Sequence, residues 1–188
     1  MSGRDQFRRA RPVLLAISAV WRLFPRFLFR WSWWLVQSFP GKPGIGLRYL
    51  YAKRLALACA DNVQIGPRCT IVCWDKLELG TNVNIHVGGY IDAQGGVRIL
   101  DNVSIAHACS VLSFEHTWAD ASVPIKYNPI VMSPVEIGPD VWIGCGVRVL
   151  AGAKLKERTV VAAGAVVTAG DYAAGVYAGV PAKLKKKL

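Results

Sequence analysis

From Ile137 to Thr168 an aliphatic residue returns at every sixth position: Ile137, Ile143, Val149, Leu155, Val161 and Val167. Four positions after each of the first five stands a compact residue, Val141, Val147, Ala153, Thr159 and Ala165. This period fits neither a helix, which repeats every ~3.6 residues, nor one long strand, which alternates in twos. It fits a parallel β-helix, where each flat side of a coil takes one repeat and three sides make a turn. The aliphatics then stack inward on their counterparts in adjacent coils, and the compact residues sit where the chain bends.

The same beat opens earlier, at Ile65, Ile71, Leu79, Ile85 and Ile91, and slips at Gln94-Gly95-Gly96. It resumes at Ile99, Ile105 and Val111 and fails from Thr117 to Pro134, a stretch with aromatics, prolines and no period. Long excursions from a regular solenoid are usually functional. Asn62-Val63, Asn82-Val83, Asn102-Val103 and Asp140-Val141 read as tight corners. Upstream, the pattern predicts a helix over about Arg4 to Phe39 broken near Pro25, a Gly/Pro-rich joint from Phe39 to Gly46, and a short helix from Leu47 to Ala60. The division is a helical segment over 1–58 and an all-β domain over 59–188, with an excursion loop at 117–134.

Charge changes the picture at one end. Residues 1–54 hold eleven Lys or Arg against the single acid Asp5, or +10 of the chain's formal +11. Arg22, Arg26 and Arg30 are four apart, which places them on one helical face among many Trp, Phe and Leu residues. No run reaches the ~18 uncharged apolar residues of a membrane-spanning helix. An amphipathic helix lying in a membrane interface, drawn to anionic lipid, is the expected reading. The alternative is a helix that packs its aromatics on its own body or on another subunit. Nothing else resembles a nucleic-acid-binding fold. The five cysteines form no CxxC pair, so neither a disulfide framework nor a zinc site is expected.

Three histidines are available: His86, His107 and His116. His116 stands at the mouth of the irregular loop, where an imidazole can take a proton from a hydroxyl or amine; the plainer alternative is a surface histidine. His86 and His107 read as outward residues that could line a cleft; the plainer alternative is a solvated edge, which is the reading for His107. The spacing of His107 and His116 puts them on different faces, and no metal is expected.

The ordered motifs Tyr90-Ile91-Asp92-Ala93-Gln94-Gly95-Gly96, Ser113 to Trp118, Pro134 to Gly144, Ala163 to Thr168 and Ala178-Gly179-Val180-Pro181-Ala182-Lys183 resemble the hexapeptide-repeat acyltransferases. The likeness is to the maltose/galactoside acetyltransferase group and, within it, to O-acetyltransferases of bacterial polysaccharide biosynthesis. The resemblance implies a left-handed parallel β-helix, a homotrimer with clefts between subunits, and acetyl-CoA as donor. His116 matches the family's general base. Asn84 and Asp92 match acceptor-holding positions, and Trp142 an aromatic beside the cleft. Cys145, Ala163, Thr168, Lys183 and Lys186 match positions along CoA. Ala169 stands where the family usually has lysine. The implied activity is acetyl transfer to a sugar hydroxyl of a lipid-linked or nascent polysaccharide, on the inner face of the cytoplasmic membrane. Acetylation of a small soluble sugar or sugar nucleotide, and a non-catalytic membrane-tethered scaffold, are the alternatives.

Overall fold

The computed structural model describes residues 3–188, so the first two residues of the helical segment lie outside the described residues. Three helices open the chain: α1 (Gly3–Trp21), α2 (Arg26–Val36) and α3 (Gly41–Leu55). The break near Pro25 is there, with Pro25 capping α2. The expected joint is not. The chain is helical again from Gly41, because Pro43 falls in the first turn, whose N–H groups need no acceptor within the helix. Gly44 lets the chain double back: a Cβ there would lie 2.0 Å from the Phe39 carbonyl oxygen. The third helix ends at Leu55, and Ala58–Cys59 already belongs to the sheet.

From there the chain winds as a parallel β-solenoid with three faces. The first face stacks Ala58–Cys59, Leu77–Leu79, Val97–Ile99, Val135–Ile137, Ala153–Leu155 and Gly170–Tyr172. The second stacks Gln64–Ile65, Asn84–Ile85, Ser104–Ile105, Trp142–Ile143, Thr159–Val161 and Gly175–Ala178. The third stacks Thr70–Val72, Tyr90–Asp92, Ser110–Leu112, Arg148–Val149 and Val166–Val167. The register puts like on like, with Ile65, Ile85, Ile105, Ile143, Val161 and Tyr177 in one inward column. Burying each such side chain is worth about 1.5–3 kcal/mol, which makes these columns the main stabilising term of the solenoid. At the last coil Tyr172 and Tyr177 close the core edge to face, 5.0 Å apart.

The corners refine the expected pattern. The bend is made one residue before each compact position, in left-handed conformation, at Asp140, Gly146, Gly152, Arg158 and Gly164. Val141, Val147, Ala153, Thr159 and Ala165 follow and point inward, all buried. At the first corner the left-handed residues are Asn62, Asn82 and Asn102, a type that tolerates this region. Their amides form a ladder, Asn62 Nδ2 donating to Asn82 Oδ1 at 2.9 Å and Asn82 Nδ2 to Asn102 Oδ1 at 2.8 Å.

The helices cap the first coil. Trp33 meets Trp74 at 5.0 Å and Tyr51 at 5.7 Å, and Trp21 packs on Phe29 and Tyr51. The arginines also turn to the body, which corrects the single basic face expected of them. Arg22 falls in the turn before Pro25, outside both helices. Arg26 donates to the Leu55 carbonyl, Arg30 bonds Asp75 at 2.5 Å, and Arg11 bonds Asp61 at 2.6 Å. Arg54 donates to the Trp21 and Phe24 carbonyls. Arg48, fully buried, joins Phe39 O at 2.7 Å to Ile65 O at 2.6 Å. Among the described residues no helix is long and apolar enough to cross a membrane.

Candidate active site

The excursion is an arm rather than an irregular loop, and it begins earlier than the sequence suggests. Phe114–His116 pairs antiparallel with Ile130–Met132, His116 opposite Ile130. His116 therefore projects on the arm, beyond the coil end where the periodicity places it. It is exposed, with Phe114 edge-on at 6.2 Å between ring centroids. The backbone just after it is pinned, since Thr117 N and Oγ1 both donate to the Pro129 carbonyl, at 3.0 and 2.7 Å. At the tip, buried Asn128 receives the Asp120 N–H at 2.9 Å and gives the loop its shape.

The root of the arm ties it to Asp92. Ser113 is fully buried; its Oγ donates to Asp92 O at 2.8 Å and accepts the Gly95 N–H at 2.8 Å. A Cβ on Gly95 would lie 1.9 Å from the Ser113 carbonyl oxygen, so this corner admits only glycine. Asp92 is 6% exposed, and its carboxylate accepts the Gln94 N–H at 3.1 Å and lies 3.5 Å from the Tyr90 hydroxyl. Burial first, and then Asp92, push the Tyr90 phenol up. Sequence reasoning placed Tyr90, Gly95 and Ser113 in the ordered motifs but gave none of them a part in the site. The one signal was the phase slip at Gln94-Gly95-Gly96, which marks the coil that the root of the arm crosses.

The other predicted residues fall into two further groups. On the second face, outward positions align in the register Gln64, Asn84, Ser104, Trp142, Val160, Val176 and Lys186. Asn84, Trp142 and Lys186 thus share one column, with Trp142 54% exposed. At the second corner, Gly146 N bonds His107 O and Gly164 N bonds Cys145 O, which puts His107, Cys145 and Ala163 in successive coils of one row. Thr168 lies at the far end of the third face, where Tyr172 Oη accepts its N–H at 3.1 Å. Lys183 opens the last strand, opposite Ala178. Ala169 packs near Gly152 and Ser133 at the foot of the arm. One chain therefore holds Asp92 and Thr168 at its third corner, carries His116 out on the arm rooted there, and holds Asn84, Trp142, Cys145, Ala163 and Lys186 on the far side of its third face. Among the described residues no group of three or more His, Cys, Asp or Glu side chains is placed to hold a metal ion.

Comparison with known proteins bears on this arrangement. The bacterial transferase hexapeptide (six repeats) family matches residues 134–169, the coils just after the arm. The chain is 31% identical over 136 residues to "Putative acetyltransferase YJL218W" of Saccharomyces cerevisiae, spanning 72% of this chain and 68% of that protein. It is 31% identical over 146 residues to "Putative lipopolysaccharide biosynthesis O-acetyl transferase WbbJ" of Escherichia coli, spanning 77% and 67%. Against "Probable acetyltransferase Rv3034c" of Mycobacterium tuberculosis it is 37% identical over 127 residues, 66% of this chain but 42% of that protein's length. Among solved structures, a maltose O-acetyltransferase from Clostridium difficile superposes with a TM-score of 0.75 at 22% identity, over 87% of this chain and 86% of that one. A galactoside acetyltransferase in complex with coenzyme A superposes with a TM-score of 0.72 at 19% identity, over 100% and 91%. These two likenesses establish the fold.

Proposed function

This chain belongs to the hexapeptide-repeat acetyltransferases, and from that premise we propose that it moves an acetyl group from acetyl-CoA to a hydroxyl of a lipid-linked or nascent polysaccharide at a membrane surface. The observation that carries the reading is the division of the site residues between two sides of one prism, with His116 on an arm reaching away from its own coil. A neighbouring copy, in a homotrimer, completes a cleft in which the arm of one subunit faces the second-corner row of the next. His116 takes the acceptor hydroxyl proton as that oxygen attacks the thioester carbonyl carbon. The C–S bond then breaks, and the proton passes to the departing thiolate. Asn84 and Asp92 orient the acceptor and Trp142 shields it from water. Cys145, Ala163 and Thr168 line the pantetheine path, and Lys183 and Lys186 meet the phosphates.

The membrane part of the reading rests on α2. Phe27, Leu28, Trp31, Trp34 and Leu35 are all exposed and follow helical spacing, so they form one stripe opposite buried Trp33. With Leu23, Phe24 and, on α1, Val13, Ile17 and Val20, they make an apolar surface of the kind that meets a lipid interface. The inner face of the cytoplasmic membrane, where acetyl-CoA is available, is the proposed location. The test is transfer of radiolabelled acetyl from acetyl-CoA to lipid-linked saccharides by the full chain. His116→Ala is expected to lower the rate by roughly 10²–10⁴, and transfer undiminished by that change would end the mechanism.

A further inference from the structure

A cavity of about 630 Å³ lies between α1, α3 and the first coil, a size typical of ligand sites. Its floor is apolar, with Phe7, Leu14, Ile45 and Tyr49. Asn62, on its wall, is 9% exposed, and its Oδ1 has no hydrogen-bond partner among the described residues although its Nδ2 is used. Arg9 and Lys42 also border the cavity, both exposed and without an acidic partner among the described residues. Their neighbours Arg8, Arg11 and Lys53 are paired with Asp5 or Asp61. Gln64, another wall residue, pairs in register with Asn84. The cavity therefore borders the first residue of the outward column on the second face, one strand spacing, ~4.8 Å, from Asn84 and three from Trp142.

We propose that this cavity holds the lipid end of the acceptor: a hydrocarbon chain on the apolar floor and a phosphate between Arg9 and Lys42. The proposal rests on the acetyltransferase reading above and narrows its acceptor class. The chemistry selects phosphate because a phosphodiester keeps its negative charge after joining a saccharide to a hydrocarbon chain, whereas a carboxylate loses its charge once esterified. Two cations without an acidic partner among the described residues, beside an apolar floor, match that combination. The sugar would then lie over the face bearing Asn84, within reach of the cleft.

The test is binding of farnesyl phosphate to the full chain below its aggregation concentration, followed by titration calorimetry, with farnesol and inorganic phosphate as comparators. Gly46 borders the cavity, and a Cβ there meets only Leu14 Cδ2 at 3.8 Å, so Gly46→Leu is the variant chosen to fill the space. Farnesyl phosphate is expected to bind more tightly than either comparator. Gly46→Leu should weaken it at least tenfold, and Arg9→Ala with Lys42→Ala, a surface pair, should weaken it without affecting farnesol. Wild-type affinity in Gly46→Leu would place the chain on the α2 stripe and overturn the proposal. Equal affinity for farnesyl phosphate and farnesol, or no binding, would also overturn it. The two readings separate cleanly: binding without acetyl transfer upholds the cavity and removes the acetyltransferase reading. Transfer to a phospholipid-linked sugar with an unchanged KM in Gly46→Leu removes the cavity alone.

Discussion

Replacing Ser113 by alanine tests whether the root of the arm sets the position of His116. The side chain is fully buried and makes two bonds, so the cost can be worked from its partners. The Asp92 carbonyl keeps a second donor, the Ser113 N–H at 3.2 Å, so its loss is that of an ordinary bond, about 1 kcal/mol. The Gly95 N–H loses its side-chain acceptor at a half-buried site, which adds about 1 kcal/mol at the low end for an unsatisfied group. Together, roughly 2 kcal/mol lowers Tm by about 4–8 °C in a chain of this size. The functional effect should be larger than the stability effect. The arm is held to its coil at this root, and a shift of about 1 Å in a reacting group can cost 10²-fold in rate. We expect kcat for acetyl transfer to fall by about 10–100-fold, with a smaller change in the KM for acetyl-CoA, since of its matched residues only Thr168 lies at this corner. Thermal melting and steady-state kinetics on the same preparation would check this. A lowered Tm with wild-type kcat would refute the reasoning, because the arm would then be positioned by its own hairpin and not by Ser113.

Acid should loosen the helical cap. Desolvation raises the Asp61 carboxyl, but its bond to Arg11 and the nearby Lys53 outweigh this and hold it below the usual range; Asp75 is held low by its own backbone N–H and, against desolvation, by Arg30. Folded values below the unfolded ~3.9 mean this docking energy is complete above about pH 4 and lost as pH falls further. A red shift of tryptophan emission below about pH 4 is expected, and an unchanged spectrum would show that the aromatics alone hold the cap. Two glycines in α3 should respond oppositely. Gly46→Ala has room and should stabilise by about 0.5–1 kcal/mol, while Gly44→Ala should destabilise by about 1–3 kcal/mol through its clash with the Phe39 carbonyl, both read from denaturant titrations. Burial pushes the Cys59 thiol up to about 12 and also raises Cys69 and Cys109. Iodoacetamide at about pH 8 should leave these three unmodified in the native protein, since the thiolate is the reactive form; rapid labelling of Cys59 seen by mass spectrometry would contradict the packing.

The six-residue beat made the solenoid legible because each repeat restates one constraint, an inward aliphatic followed by a left-handed corner. The corner residue itself was off by one, since a compact inward side chain is a stronger pattern than the Asn, Asp or Gly before it. The arm was harder to read. Phe114, Glu115 and His116 alternate like a coil strand, and only the pairing with Ile130 to Met132 moves them off the solenoid. The joint was misread because glycine and proline signal a turn by default, whereas Pro43 sits harmlessly in a first turn and Gly44 is there to admit the Phe39 carbonyl. The arginine face failed because sequence spacing says which side of a helix a charge lies on, but not whether water, lipid or a carbonyl on the body faces that side. The site residues reach across the fold in a way no spacing encodes, because register between coils links Gln64 to Lys186.

That column also bears on how two anionic substrates would share one face. It runs through six strand spacings, roughly 29 Å, from Gln64 beside the cavity to Lys186 on the last strand. Its outward residues between the ends are Asn84, Ser104, Trp142, Val160 and Val176, none of them charged. Cationic residues gather at the two ends, Arg9 and Lys42 at the first coil and Lys183 to Lys187 at the last. A phosphate held at one end lies well beyond a Debye length, ~8 Å at physiological salt, from a phosphate held at the other. The two anchors therefore neither repel each other's ligands nor compete for them. On the reading proposed above, selectivity for donor and for acceptor become independent properties of the two ends. The neutral middle, around Trp142, is where the acetyl group and the hydroxyl would meet without an intervening charge to hold water between them.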